Sequence, residues 1–424
     1  MEKPLTQHIK SDGTWLTLKE YEKTGGYEGL KKALKMAPKD VIDEVKSSNL
    51  KGRGGAGFVT GVKWSLVPAG DKAPKIKYLV ANADEMEPGT FKDRLLLETN
   101  PHLLIEGMII GAFAIQAIQS YIFLRHAYFP AENILEEAIH EAQEAGYLGE
   151  NIMGSGFNHK LDLHISMGRY ICGEETALLN ALEGKRAIPR AKPPFPVVSG
   201  LFGKPTVVNN VESLCNVPFI LHNGAEAWKS LSKTDEGGTK LYGASGRVKK
   251  PGIWELPLGT SLREILEEHA GGMQDGYRFR GALPGGGSTD FLIEDHLDVA
   301  MDFGSVSKVG SRMGTGTVIV LDDKTCPVGF VKNLEAFFAQ ESCGWCTPCR
   351  EGLPWTEKIL DSLENGRGTM KHLEILEYHT HYIEPGNTFC ALAPGAMEPL
   401  QSGLKYFKED FEKHVHEHKC PYKS

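Results

Sequence analysis

The stretch Glu341-Ser342-Cys343-Gly344-Trp345-Cys346-Thr347-Pro348-Cys349-Arg350 sets three cysteines at i, i+3 and i+6, and Cys390 follows further along. Three thiolates on one short loop can take three corners of a compact inorganic core, and a distant fourth can close the last. Iron–sulfur clusters are held in this way. Structural zinc more often uses two separated Cys-x-x-Cys or Cys/His pairs. Cys326, Cys420 and nearby histidines leave that reading open. A disulfide framework is the weaker reading, because eight cysteines in 424 residues is a low density.

A second candidate is Gly52-Arg53-Gly54-Gly55-Ala56-Gly57-Phe58. Glycine lets backbone N–H groups approach a phosphate and permits positive φ. The spacing matches G-x-G-x-x-G, but the dinucleotide fingerprint needs a strand directly before it. Here 41–49 reads as a helix and turn. We therefore expect a phosphate or ring cradle without an ordinary Rossmann first turn, with a flexible surface loop as the alternative.

Carboxylates recur at two further points. Asn82-Ala83-Asp84-Glu85-Met86-Glu87-Pro88-Gly89 follows a predicted strand and could hydrogen-bond sugar hydroxyls, or be a solvated acidic turn. Tyr170-Ile171-Cys172-Gly173-Glu174-Glu175-Thr176 sets paired acids at a helix start, and Cys172 reads as a buried small apolar residue. The proline-rich 190–196 loop offers Lys192 and Phe195, or serves as a rigid connector. Asn209-Asn210 should cap a helix running to 223.

The elements that must position these residues alternate. Strands are expected at 76–80, 121–124 and 161–165, with helices at 103–118 and 131–145. This order argues an α/β domain with a largely parallel sheet, whose ligands bind at the carboxyl ends of strands. The apolar run 107–124 is broken by Gln116, Gln119 and Ser120. It reads as a buried helix and strand, since a span needs ~20 apolar residues. Residues 224–240 look like a polar linker. Strands at 241–246, 252–258, 278–283 and 317–322 surround a helix opened by the capping box at Ser261–Glu264 and stopped at Gly271-Gly272. That order suggests a small β-grasp domain. Pro284-Gly285-Gly286-Gly287 reads as a turn. Helices at 328–340, 353–363, 373–383 and 397–415 form a bundle. Its tail, His414-Val415-His416-Glu417-His418, reads as a frayed, solvated end.

Length predicts two to four domains. A hydrophobic content of 41% and a formal net charge of −8 point neither to nucleic acid nor to an anionic membrane surface. No apolar run follows Met1-Glu2-Lys3-Pro4, so no signal peptide is expected, and scattered cysteines suit a reducing, cytosol-like compartment. There is no Ser-His-Asp signal.

In this order, GRGGAGF with Lys63-Trp64, the 82–89 segment, YICGEET, Asn209-Asn210 and ESCGWCTPC resemble the flavoprotein subunit of respiratory complex I, over nearly the whole chain. The resemblance implies an α/β Rossmann-like FMN domain, then a β-grasp (ubiquitin-like) domain and a C-terminal helical bundle carrying an iron–sulfur cluster. The divisions would be 1–60 (helical segment and glycine loop), 61–235 (FMN and NADH), 236–325 (β-grasp) and 326–424 (bundle with a [4Fe–4S] cluster). It implies an NADH:quinone oxidoreductase: hydride passes from NADH to FMN, then electrons pass singly to the cluster and on toward quinone.

By similarity, Gly52, Arg53, Gly54, Gly55, Lys63, Asn82, Asp84, Tyr170, Gly173, Glu174, Asn209 and Asn210 would hold FMN. Phe58, Glu85, Glu87, Glu175, Lys192 and Phe195 would hold NADH, with the two phenylalanines on adenine. Cys343, Cys346, Cys349 and Cys390 would bind the cluster. No side chain is assigned to the chemical step, because positioning nicotinamide against flavin suffices. The implied partners are a thioredoxin-like [2Fe–2S] subunit and a larger multi-cluster subunit, on the cytoplasmic side of the inner membrane. The same module occurs as the diaphorase of NAD-reducing hydrogenases and formate dehydrogenases. Those chains often carry a thioredoxin-like extension with its own cysteines, and here no cysteine precedes Cys172.

Overall fold

Strands β1 (Tyr78–Ala83), β2 (Gln119–Arg125), β3 (Lys160–Ser166) and β4 (Thr206–Asn210) pair in the order β3-β2-β1-β4, all parallel. Parallel neighbours need crossovers. Helices Lys92–Thr99 and Pro101–Ile115 make the first, and Phe129–Glu144 the second. Pro101–Ile115 is buried at every position but Phe113, as a mostly apolar helix must be, and its two polar residues, His102 and Glu106, are hydrogen-bonded to Tyr27 and to Tyr21. With β2 it accounts for the apolar run. No helix among the described residues is long and apolar enough to cross a membrane. The computed structural model describes residues 2–423; of the N-terminal reading, Met1 lies outside them.

The chain leaves β1 for β2 and β3, then returns to the other edge of β1 for β4. The order reverses between β1 and β4, the place where sheets of this class bind ligands. β4 is absent from the sequence reading. It is short and ends in Asn209-Asn210, which read as turn formers; pairing with β1, Ala81 opposite Asn209 and Asn82 opposite Asn210, overrides that preference. The glycine loop follows helix Pro38–Ser47, not a strand, and leads into an unforeseen helix, Thr60–Ser65. Residues 224–240 are not a plain linker: they include helix Ala225–Lys229, whose Trp228 is fully buried.

Contacts divide the chain into two units. One holds residues up to Met86 with Phe91–Leu241 and Glu255–Gly259; the other holds Glu87–Thr90, Tyr242–Trp254 and the chain from Thr260 onward. A second sheet, β5 (Thr239–Ser245), β6 (Gly252–Pro257), β7 (Phe279–Leu283) and β8 (Thr317–Asp322), has the order β6-β5-β8-β7, with β5 parallel and β7 antiparallel to β8. Ser261 Oγ accepts from Glu264 N at 3.2 Å, and the helix it opens turns π-helical at Ile265–His269.

Helices Pro327–Glu341, Leu353–Glu364, Met370–Tyr382, Leu392–Tyr406 and Lys408–His416 complete the second unit. The single helix expected at 397–415 is two. Phe407 breaks it (φ −121°, ψ 27°), its buried ring lying against Phe291 and beneath Arg280. The tail is not frayed at His414, which is fully buried; exposure begins at His416 and continues through Glu417 and His418.

Candidate functional site

The glycine loop is closed at its base. Gly52 N donates to Phe58 O at 2.8 Å, and Thr60 N to Leu50 O at 2.8 Å. Gly55 and Gly57 take φ of 123° and 67°, which side chains rarely adopt. A Cβ on Gly54 would stand 3.1 Å from Asn210 Cβ, so the loop lies against the carboxyl end of β4. The Arg53 side chain is fully buried and donates to the carbonyls of Lys51, Gly237 and Thr239 at 3.2, 3.3 and 3.0 Å. Backbone, rather than this guanidinium, is what the loop presents.

Polar groups gather where β1, β3 and β4 end. Asn82 Oδ1 accepts from Asp84 N at 3.1 Å, and Asn82 Nδ2 donates to Cys172 O at 3.4 Å, tying β1 to the Tyr170–Gly173 turn. Ser166, the last residue of β3, donates to Asp84 Oδ2 at 2.6 Å. Trp64 Nε1 donates to Asn209 Oδ1 at 2.9 Å. Asn210 caps helix Val211–Cys215 and donates to Asp93 Oδ2 at 2.6 Å.

Glu174 caps helix Glu175–Leu182, its Oε2 accepting from Thr176 N and Ala177 N at 2.9 Å each. Lys63 Nζ meets Glu175 Oε2 at 2.7 Å and Val208 O at 2.8 Å. Lys192 Nζ lies 3.0 Å from Glu174 Oε1 and 3.3 Å from Glu175 Oε1. Burial alone would push the Glu175 carboxyl up, but Lys63 and Lys192 outweigh it and hold the group below its ordinary value. Phe58 and Phe195 stand 53% and 55% exposed.

Two further acids of the expected NADH set have hydrogen-bond partners of their own. Both Glu85 oxygens face inward: Oε1 accepts from Lys92 N and Asp93 N at 3.0 and 2.9 Å, and Oε2 from Arg94 N and Tyr128 Oη at 3.2 and 2.9 Å. Its carboxyl group thus caps the first turn of helix Lys92–Thr99. Glu87 belongs to the second unit, where Oε1 accepts from Ser288 N at 2.7 Å. That contact gives the glycine-rich 284–287 turn its partner.

In the second unit the cysteine loop follows helix Pro327–Glu341. Ser342 Oγ lies 3.1 Å from Cys349 Sγ and accepts from Gly344 N at 3.2 Å. Arg350 spans the loop to Gly344 O at 3.0 Å. Trp345 meets Phe389 edge to face at 6.0 Å, which brings the Cys390 segment to the loop. Burial, together with the nearness of Cys346, Cys390 and Cys343, pushes the Cys349 thiol up to about 12. Four thiols so crowded need positive charge between them before all can ionise, and this donor set fits a [4Fe–4S] core. The glycine loop at the strand switch, flanked by Lys63 and three asparagines, likewise fits a phosphate-bearing ring cofactor.

Family models match the Nuo51 FMN-binding domain over residues 45–219, an SLBB domain over 244–291 and the NADH-ubiquinone oxidoreductase-F iron–sulfur binding region over 329–414. The chain is 58% identical over 410 residues to the F subunit of the Salmonella typhimurium NADH-quinone oxidoreductase, covering 96% of this chain and 92% of that one. The Escherichia coli protein gives the same figures, and that of Streptomyces coelicolor is 49% identical over 411 residues, 97% of this chain and 90% of its own. The chain belongs to the family of NADH-quinone oxidoreductase F subunits. It is therefore an oxidoreductase component using FMN, a [4Fe–4S] cluster and NADH.

Among solved structures, the air-oxidized NAD+-reducing [NiFe]-hydrogenase aligns at TM-score 0.80 and 34% identity, over 89% of this chain and 63% of that chain. This F-subunit chain thus spans under two thirds of that hydrogenase chain. The glycine loop, Asn82, Asp84, Tyr170, Gly173, Glu174, Asn209 and Asn210 all lie in the first unit, as do Lys63, Glu175, Lys192, Phe58 and Phe195; the four cysteines lie in the second. Sequence reading missed Ser166 and the Val208 carbonyl. Neither belongs to a motif, and only strand ends in register reveal them.

Proposed function

We propose that the chain is the NADH-oxidising entry point of a complex I-type NADH:quinone oxidoreductase. The observation that supports this most is the glycine loop pressed against Asn210 at the β1/β4 switch, with Lys63, Glu175 and Lys192 alongside. Bound FMN would supply the conversion between a two-electron hydride donor and a one-electron acceptor, and the [4Fe–4S] cluster would take the single electrons.

The chain's own residues bind and orient. Backbone N–H groups of Gly54 and Gly55 would approach the flavin, while Gly52 and Arg53, whose N–H groups donate to Phe58 O and Ser213 Oγ at 2.8 Å each, would hold the loop in place, and Lys63 would neutralise the flavin's phosphate. Asn82, Asp84, Tyr170, Gly173, Glu174, Asn209 and Asn210 would fix the ring and its polyol chain. Glu175 and Lys192 would meet the nicotinamide nucleotide, with Phe58 and Phe195 offering faces for adenine. Glu85 and Glu87 would serve the same nucleotide through the segments they hold. Cys343, Cys346, Cys349 and Cys390 would ligate the cluster.

The finer architecture follows the same reading: a helical segment at 1–60, a flavin domain at 61–235, a β-grasp domain at 236–325 and a helical bundle from 326. Partners would be a thioredoxin-like [2Fe–2S] subunit and a larger multi-cluster subunit, with the assembly peripheral on the cytoplasmic side of the inner membrane. The hydrogenase likeness favours a diaphorase role as the second reading; the higher identity and coverage of the bacterial quinone-oxidoreductase relatives favour the first. The test is NADH-dependent ferricyanide reduction by the flavin-loaded chain. Full flavin content without dye reduction overturns the reading.

A further inference from the structure

Cys326, Glu364, His414 and Cys420 come from four separate places in the second unit: the N-cap of helix Pro327–Glu341, the end of Leu353–Glu364, the last turn of Lys408–His416 and the chain beyond it. One ligand atom from each lies within 4.8 Å of all the others. Cys326 Sγ is 2.9 Å from Glu364 Oε1 and 3.4 Å from His414 Nε2, and His414 Nε2 is 3.2 Å from Glu364 Oε1. Tetrahedral zinc with bonds of about 2.0–2.3 Å sets its ligand atoms about 3.3–3.8 Å apart. A small settling of these side chains reaches that geometry.

The surroundings fix the histidine. His414 Nδ1 is 2.7 Å from Asp410 O, a carbonyl that can only accept, so Nδ1 carries a proton. The other ring nitrogen, Nε2, is thereby turned toward Cys326 Sγ and Glu364 Oε1. A backbone carbonyl on the far ring nitrogen is the usual support of a metal-bound histidine. Gly329 N donates to Cys326 Sγ at 3.2 Å, and Lys423 Nζ holds Glu364 Oε2 at 2.6 Å. Cys420 and Cys326 are both thiols, and His414 is fully buried.

We propose that Cys326, Cys420, His414 and Glu364 form a closed structural zinc site, distinct from the four cluster cysteines, that ties the chain's last helix to the bundle. Two thiolates and an imidazole select zinc over harder cations, and four protein ligands leave no open position for chemistry. Zinc entry releases the two thiol protons. The ion with two thiolates and one carboxylate keeps a single negative charge, beside which Lys423 sits.

The test is elemental analysis of the full chain, flavin- and cluster-loaded and purified without chelators. One zinc per chain is expected beyond the cluster iron. Cys420→Ser and His414→Ala should each lower zinc at least tenfold while FMN and acid-labile sulfide stay. Cobalt(II) exchanged into the unmutated chain should show thiolate-to-cobalt charge-transfer absorption, an arm that depends on no variant. Zinc absent both as isolated and after stoichiometric zinc, no cobalt band, zinc retained in both variants, or additional iron in place of zinc each overturns the assignment. The last two outcomes would leave an imidazolium–carboxylate pair or an iron site.

Discussion

Lys63 and Glu175 are joined at 2.7 Å, although they come from the helix after the glycine loop and the helix after the YICGEET turn. Lys192 engages the other oxygen of the same carboxylate. The acid thus stands between two cations, one proposed for each cofactor, and couples the two binding loops.

Glu175→Gln should loosen both lysines. The pair is partly exposed, so the stability change should stay within about 1 kcal/mol. The KM for NADH should rise by about tenfold, or roughly 1.4 kcal/mol of binding, with FMN content unchanged. Steady-state dye reduction and flavin quantitation check this. An unchanged KM would remove Glu175 from the nucleotide site.

Glu85 supplies a pH effect. Burial, reinforced by Asp93, raises its carboxyl to about 7 from an ordinary 4.5. The folded state then holds a proton that the unfolded state has lost between these values. Its contribution to stability is full below 4.5 and declines as pH rises through 7. Urea unfolding from pH 4.5 to 7.5 should show this decline, and Glu85→Gln should flatten it. NADH over NADPH preference should survive the same substitution, since the side chain faces the helix Lys92–Thr99.

Glu212 is fully buried between Lys92 at 2.9 Å and Lys240 at 3.0 Å. Burial would raise this acid, yet Lys240 and Lys92 hold it down to about 2. Its stabilisation is present above 4.5 and is lost as pH falls toward 2. Glu212→Gln strands the buried Lys240 ammonium, while Lys92 keeps Asp93 at 2.7 Å, and should cost about 3 kcal/mol, measured by chemical unfolding. A loss under about 1 kcal/mol would mean Lys240 sheds its proton instead.

Cys390→Ala should remove most cluster iron and acid-labile sulfide while FMN remains, because these groups lie in different units. Iron, sulfide and flavin ratios, with EPR of the reduced protein, give the result. Cys420→Ala should leave the cluster intact. The reverse pattern would reassign the fourth ligand to Cys420.

Motif residues were legible because their chemistry needs fixed spacing: the 343–349 loop, the glycine loop and the YICGEET turn are local sentences. The roles of Glu85 and Arg53 were not legible. Each sits in a motif, yet its side chain turns toward partners distant in sequence or onto a helix end, and spacing carries no such direction. The β4 strand and the broken helix at Phe407 were hidden for a related reason, since tertiary pairing and one buried ring overrule local preference. Cys326 and Cys420 read as scattered because their convergence is made by four elements folding together.

β1 is paired on one side by β2, made soon after it, and on the other by β4, the last strand of its sheet to be synthesised. On the ribosome, the first strand therefore waits with one edge bare until Thr206–Asn210 has emerged. The glycine loop has no Asn210 to rest on before that moment. On the binding mode proposed above, flavin capture would follow the emergence of Asn210, and a translational stall upstream of Thr206 would leave the N–H and C=O groups of one β1 edge unpaired.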